Sequence, residues 1–206
     1  NEICNKNVIA LFSEGIEIGP RALGNRSFIA DPREFKMKDV LNSKIKHREN
    51  YRPFAPVILK EKFHDFFISK TIDHPYMLQA PKCKKITLKK APAICHVDNT
   101  SRVQTLENDN RKIRKIVEAF FVKTGVPIII NTSFNDNDEP IVFTKLDALN
   151  SFLNCNADIL ILENKVIYRS RIKDIQKLKK DISAYQKNFH KEYFLKKIKN
   201  NTNINL

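Results

Sequence analysis

Short apolar runs alternate along the chain with segments whose apolar positions recur every three or four residues. VIALF (Val8 to Phe12) and SFIAD (Ser27 to Asp31) have the length and composition of strands on either side of a polar loop. From Glu34 to Ile45 the apolar residues Phe35, Val40, Leu41 and Ile45 share one helical face. PFAPVIL then reads as a proline-flanked strand, followed by a helix from Lys60 to Phe67. Between Pro75 and Leu106, the runs YMLQA, AICHV and RVQTL have strand length, and antiparallel pairing is expected there. A helix from Asn110 to Lys123 puts Ile113, Ile116, Val117, Phe120 and Phe121 on its apolar face and stops at Gly125. VPIIINTSF is a buried strand running into a polar loop, and Thr144 caps a helix that ends at Leu153. ADILILENKVIYRS is a hairpin turning at Glu163 and Asn164. Interleaved helices and strands place the chain in the α/β (α+β) class.

Beyond Arg171 the pattern changes. Ile172 to Lys199 is rich in Lys, contains neither Gly nor Pro, and spaces Ile175, Leu178, Ile182, Tyr185, Phe189 and Phe194 roughly as a helix would. One or two amphipathic helices are expected, with NNTNINL as a frayed tail. Residues 1–170 therefore read as one domain and 171–206 as a basic helical extension. Such an extension could touch a membrane or nucleic acid, although a solvated face packed on its own domain is the commoner arrangement.

Charge narrows the partners without choosing one. With 37 Lys and Arg against 23 Asp and Glu, the formal charge of +14 favours anions, whether nucleotide, nucleic acid or membrane surface. The four cysteines show no CxxC spacing, so neither a zinc site nor a disulfide framework is expected, and cytoplasmic reduced thiols fit best. No apolar run approaches the roughly 20 residues of a membrane span, and no signal peptide opens the chain. Beginning at Asn1 without Met, the chain reads as a fragment of a longer protein.

Four stretches hold more chemistry than fold-building needs. Two of only four glycines lie in GPRALGNRS (Gly19 to Ser27), beside Arg21 and Arg26. KIKHRENYRPFAP (Lys44 to Pro56) places Lys46, Arg48 and Arg52 around a helix end, and Pro53 stiffens Arg52 into an extended conformation. HVDNTSRVQT (His96 to Thr105) holds His96, Asp98, Arg102 and Gln104. NTSFNDNDEPIV (Asn131 to Val142) sets Ser133 and Asn135 at the mouth of the apolar strand, where side chains can reach a ligand above a sheet. Each residue also has a plain structural reading. Arg21 could be a surface residue, Arg26 could pair with Asp31 or Asp39, and Asp98 could hold Arg102. His96 could be a neutral core histidine, while Ser133 and Asn135 could cap the turn after their strand.

These four motifs, in this order and spacing, resemble the C-terminal domain of the O-carbamoyltransferases that modify antibiotics and nodulation factors, with the match running from about Val8 to Tyr168. That domain is similar to the YrdC-like fold, a twisted mixed sheet with flanking helices, whose ligand signature is Lys-x-Arg followed much later by Ser-x-Asn. Here those positions are Lys46-His47-Arg48 and Ser133-Phe134-Asn135. The resemblance implies that carbamoyl phosphate and ATP, with Mg2+, give carbamoyl adenylate, phosphate and pyrophosphate. A separate N-terminal domain, missing from this chain, would pass the carbamoyl group to a hydroxyl. It implies catalytic roles for Lys46, Arg48, Ser133 and Asn135, and substrate contacts from Arg21, Arg52, Arg102, His96 and Arg26. No protein ligand for a metal is identified, no membrane association is expected, and a homo-oligomer is compatible.

The residue types suit this chemistry. Guanidinium forks pair with phosphate oxygens and Lys supplies a compact positive charge. Ser133 and Asn135 can donate to phosphate or carbamoyl oxygens, and Asn135 can also accept from the carbamoyl NH2. Two positions depart from the family pattern. Gly-Arg-x-Glu is expected where Glu14-Gly15-Ile16-Glu17 stands, which removes a cation, and Asp138 replaces a loop glycine. The alternative reading is a noncatalytic nucleotide- or nucleic-acid-binding module. Steeply salt-sensitive polynucleotide binding without nucleotide selectivity would mark it.

Overall fold

In a computed structural model, residues 1–13, 15–109, 111–137 and 139–201 are described, the side chains as far as 188. The expectations for Glu14, for Asp138, for the side chains of Phe189 and Phe194 and for the tail beyond 201 lie outside the described residues. The chain divides into two compact units, Asn1–Arg171 and the segment from Ile172 onward.

The first unit is built on strands β1 (Ile9–Phe12), β2 (Arg26–Ala30), β3 (Ala55–Leu59), β4 (Phe67–Ile68), β5 (Lys82–Cys83), β6 (Gln104–Leu106), β7 (Ile128–Ser133), β8 (Ile159–Leu162) and β9 (Lys165–Tyr168). Seven of them form one mixed sheet in the order β6-β3-β7-β2-β1-β8-β9, and β4 pairs with β5 apart from it. Its helices are α1 (Met37–Val40), α2 (Phe63–Phe66), α3 (Lys85–Lys90), α4 (Lys112–Thr124) and α5 (Lys145–Asn154). The second unit contains α6 (Ile175–Asn201). This is the expected twisted mixed sheet with flanking helices. Among the described residues no helix is long and apolar enough to cross a membrane.

Strands β1, β2 and β3 are buried along their whole length and β7 as far as Asn131, as in a sheet covered on both faces: Phe28, Ile29, Val57, Ile58 and Ile128 to Ile130 are all inaccessible. The helix over 112–124 ends on Gly125, whose φ of 68° makes the left-handed cap. Thr144 opens α5 in a reciprocal capping box with Asp147. The hairpin of β8 and β9 turns at Glu163, itself left-handed at φ 55°.

The stretch from Pro75 to Leu106 departs from expectation. Of the three runs only RVQTL supplies a strand, Gln104–Leu106, and it pairs with β3 in parallel; the antiparallel pairing in this stretch runs instead through Lys82, in β5 against β4 and in a bridge to Thr100. YMLQA forms no strand because Met77 takes φ 55° to bury its side chain, leaving Tyr76 and Leu78 exposed. In AICHV, Pro92 starts a 3-10 turn, Pro92–Ile94, and Val97 stands in solvent. Helix α3, with its β-branched residues, was not evident from periodicity. The segment 34–45 is helical only from Met37 and widens into a π-helical turn, Leu41–Ile45.

Pairing directions determine where the motifs meet. Strands β2 and β3 both run antiparallel to β7, and β6 runs parallel to β3. The segments leading into β2, β3 and β6 therefore emerge at the same edge as the segment leaving β7. All four polar stretches are carried to that edge.

Candidate functional site

At this edge lies a cleft of two adjoining lobes, of about 100 and 250 Å3, which share Arg21, Arg48, Phe54 and Arg102. Arg52 and His96 line only the larger lobe, and Asn131 and Ser133 only the smaller. No Asp or Glu lines either lobe among the described residues. The guanidiniums feel one another. Burial, then the charge of Arg21, lowers the Arg102 pKa, and Arg48 is lowered by burial and by Arg52, with Arg102 adding to the effect and Glu49 opposing it. Like charges gathered without an intervening carboxylate make a site whose natural complement is an anion with several negative oxygens.

Each arginine is aimed by its surroundings. The loop bearing Arg21 is held at three points: Gln104 Nε2 donates to Leu23 O (2.9 Å), Asn131 Nδ2 to Ala22 O (3.2 Å), and Glu17 Oε1 accepts from the amides of Leu23 (2.9 Å) and Asn25 (2.6 Å). Gly24 closes the loop against α4. A Cβ there would stand 2.7 Å from Ile113 Cγ2, at a φ of 119° that L-residues avoid. Arg48 is half-buried, stacked 4.7 Å from the Phe54 ring centroid, and donates from Nε to Asn42 Oδ1 (2.7 Å). Asn42 is itself fully buried and also donates to Asn50 O and Arg52 O, so one amide sets both the Arg48 side chain and the Arg52 backbone. Asn42 sits in the π-helical turn, a widening often found at functional sites. Arg52 is more open and pairs with Glu49 at 2.9 Å. His96 is half-buried, its pKa lowered chiefly by burial, with Nδ1 3.1 Å from Thr100 Oγ1.

Lys46 occupies a different place. It is 4% exposed, and Nζ donates to Ser133 O (2.7 Å), Ser133 Oγ (3.2 Å), Asn135 O (2.8 Å) and Asn135 Oδ1 (2.7 Å). The Ser-x-Asn segment is thus wrapped around one ammonium, three hydrogens shared among four oxygens. Desolvation, then the nearby Arg48 charge, brings the Lys46 pKa down to about 7. His47, left-handed at φ 45°, turns the chain and meets the Asp136 carboxylate at 2.9 Å, a second tie between the helix end and the loop after β7.

The structure thus gathers Arg21, Arg48, Arg52, His96, Arg102 and Ser133 around one cleft and joins Lys46 to Ser133 and Asn135. Arg26 lines neither lobe. Its guanidinium lies 3.5 Å from the Phe12 ring centroid and donates to Ser13 O, so it pairs with neither Asp31 nor Asp39, and Asp31 is taken by Arg33. Asp98 accepts from Thr100 N and Oγ1 and does not hold Arg102. Three residues with positioning roles escaped the sequence reading. Glu17 and Asn42 each lie two residues before the motif they support, outside the stretches that draw notice, and Asn131 reads as strand interior. Among the described residues no group of three or more His, Cys, Asp or Glu gathers as for a metal ion.

Comparison with known proteins completes the picture. Residues 1–169 match the family described as carbamoyltransferase C-terminus. The chain is 43% identical over 154 residues to nodulation protein NolNO of Sinorhizobium fredii, covering 73% of this chain and 23% of that protein. It is 41% identical over 163 residues to nodulation protein NolO of Bradyrhizobium diazoefficiens (78% and 30%) and 40% identical over 168 residues to an uncharacterized protein of Methanocaldococcus jannaschii (81% and 27%). The chain thus spans about a quarter of the length of these relatives. Among solved structures, full-length HypF in its phosphate- and nucleotide-bound form matches with a TM-score of 0.52 at 18% identity, over 79% of this chain and 20% of HypF, a likeness of fold.

Proposed function

The chain belongs to the carbamoyltransferase C-terminal family, and on that premise we propose that it is the carbamoyl-activating domain, forming carbamoyl adenylate from carbamoyl phosphate and ATP. The observation that carries the reading is the cleft lined by Arg21, Arg48, Arg52 and Arg102, with no Asp or Glu among its described lining residues, beside a Ser-x-Asn segment drawn onto a buried ammonium. The phosphate and nucleotide bound in HypF, which shares the fold, support a site of the same kind here.

In this reading the arginines bind the phosphoryl oxygens of both substrates. Water cleaves carbamoyl phosphate to carbamate and inorganic phosphate, a carbamate oxygen attacks the α-phosphorus of ATP, and pyrophosphate leaves. Carbamate is a weak nucleophile, so the gain comes from holding it in line and from spreading positive charge over the phosphoryl oxygens. No residue need form a covalent intermediate. Lys46 fixes Ser133, which lines the smaller lobe, and places its charge at the end of β7. Mg2+ accompanying ATP would rest on phosphate oxygens and water, since among the described residues no carboxylate cluster is gathered for it, and no step is assigned to it. Transfer to a hydroxyl acceptor falls to a separate N-terminal domain, and the acceptor class goes with that domain.

Titration calorimetry with carbamoyl phosphate tests the cleft. Loss of a charged hydrogen-bonding contact costs about 1.5–3 kcal/mol. The half-buried, stacked Arg48 should deliver that in full, so Arg48→Ala should weaken binding by roughly tenfold or more. Arg52 is already paired with Glu49 and more solvated, so Arg52→Ala should cost only about two- to threefold. Equal, negligible effects from both variants, in protein with native circular dichroism, would take the phosphate site elsewhere.

A further inference from the structure

The orientation of the Asn131 side chain is dictated by its neighbours. Ala22 O and Leu23 O are backbone carbonyls and can only accept. Gln104 must therefore turn Nε2 toward Leu23 O (2.9 Å), which leaves its Oε1 facing Asn131, and Asn131 must answer with Nδ2 (2.8 Å). The same Nδ2 reaches Ala22 O at 3.2 Å, so both of its hydrogens are used. Asn131 Oδ1 consequently faces the other way. The residue is 1% exposed, lines the smaller lobe, and its Oδ1 finds no donor among the described residues. Arg102 lines the same lobe, and its buried Nε has no acceptor among the described residues. A buried polar atom left unmatched is costly, and a ligand entering the lobe can supply its partner.

The lobe is the smaller of the two, about 100 Å3. It offers one acceptor and one donor, which is the complement of a planar group carrying N–H and C=O together. Asn135, the other amide of the motif, cannot serve as the acceptor. Its Oδ1 already receives Lys46 Nζ at 2.7 Å and Ser133 Oγ at 2.6 Å.

We propose that Asn131 Oδ1 accepts from the carbamoyl NH2 while Arg102 Nε donates to the carbamoyl oxygen, so that Asn131 selects carbamoyl phosphate over acyl phosphates that lack an N–H. The proposal rests on the cleft being the carbamoyl phosphate site. Acetyl phosphate is the discriminating probe, because a methyl group in place of NH2 keeps size, charge and phosphate but leaves Oδ1 buried and unmatched. A site built around a substrate N–H rejects the analogue without it far more strongly than an apolar pocket rejects a missing methylene.

The 206-residue chain is titrated with carbamoyl phosphate, acetyl phosphate and inorganic phosphate. Carbamoyl phosphate should bind at least tenfold more tightly than acetyl phosphate. Asn131→Ala should bring that ratio to within two- to threefold. The ratio matters more than either affinity, because slackening the Arg21 loop would weaken both ligands together. Equal binding of the two acyl phosphates to the native chain, a measurement independent of any variant's folding, overturns the assignment while leaving an acyl phosphate site in place. A ratio unchanged in folded Asn131→Ala removes Asn131 as the reader. Failure of all three ligands to bind the native chain overturns the cleft reading itself, and the assignment with it.

Discussion

Lys46→Met should reduce carbamoyl-phosphate-dependent turnover by on the order of a hundredfold, the scale seen when one preorganised charge or donor at a reacting centre is removed. Methionine keeps the length and apolar stem of the lysine, so packing beneath Phe28 survives, while the ammonium that gathers Ser133 O, Ser133 Oγ, Asn135 O and Asn135 Oδ1 is lost. Ser133 Oγ still donates to Asn135 Oδ1, but the carbonyl oxygens of Ser133 and Asn135 lose the donor they share and the segment after β7 loosens. The same argument gives a pH dependence. Burial and Arg48 hold the free-protein pKa of Lys46 near 7, so the ammonium is present below that value and is lost as pH rises through it. The ratio kcat/KM for carbamoyl phosphate, which reports ionisations of the free protein, should therefore fall above about pH 7, and Lys46→Met should show no such limb. Turnover of the variant within threefold of native, or an alkaline limb identical in both, would show that Lys46 only supports the fold.

The largest stability loss is expected at Gly24. Its φ of 119° is a conformation that costs other residues about 1–3 kcal/mol, and a methyl group there meets Ile113 Cγ2 at 2.7 Å and Cβ at 2.8 Å, which adds an overpacking cost of similar size. Gly24→Ala should lose roughly 3 kcal/mol or more, a fall in melting temperature of roughly 6–12 °C for a chain of this size. Gly19 supplies the contrast. Its φ is 121°, yet nothing lies within 4 Å of an added Cβ, so Gly19→Ala carries the backbone strain alone and should lose about half as much. Equal melting temperatures for the two variants would mean that the loop moves away from α4 freely, against the three-point anchoring by Glu17, Gln104 and Asn131.

The outer parts of the fold were legible because local signals agree there: Gly125 after a periodic helix, Thr144 with Asp147, and a hairpin turning at Glu163. Between Pro75 and Leu106 they do not agree. Tyr76 to Ala80 has strand composition, yet one residue, Met77, is buried by a left-handed backbone that no strand contains. Ala93 and Ile94 are buried by a 3-10 turn under the segment that carries His96, so apolar character there reports tertiary burial and not pairing.

The site divides in the same way. Motif and charge single out Arg21, Arg48, Arg52 and Arg102, which line one cleft, and the pairing directions of β2, β3, β6 and β7 supply the reason they converge. What each polar residue holds was not legible, because the partners are distant in sequence. Lys46 meets oxygens 87 and 89 residues away, and Asn131 reaches back 109 residues to Ala22. Arg26, one residue from the glycine loop's end, looks like its neighbour Arg21 in sequence. It lies on β2, where its register opposite Phe12 buries it against that ring.

Pyrophosphate release from ATP and Mg2+, assayed with and without carbamoyl phosphate, tests the central claim most directly. The folded 206-residue chain should release pyrophosphate only when carbamoyl phosphate is present, and added hydroxyl compounds should give no carbamoylated product, because transfer is assigned to a separate domain. Absence of any carbamoyl-phosphate-dependent pyrophosphate from folded protein would contradict activation by this chain and leave a domain that binds anions without turning them over.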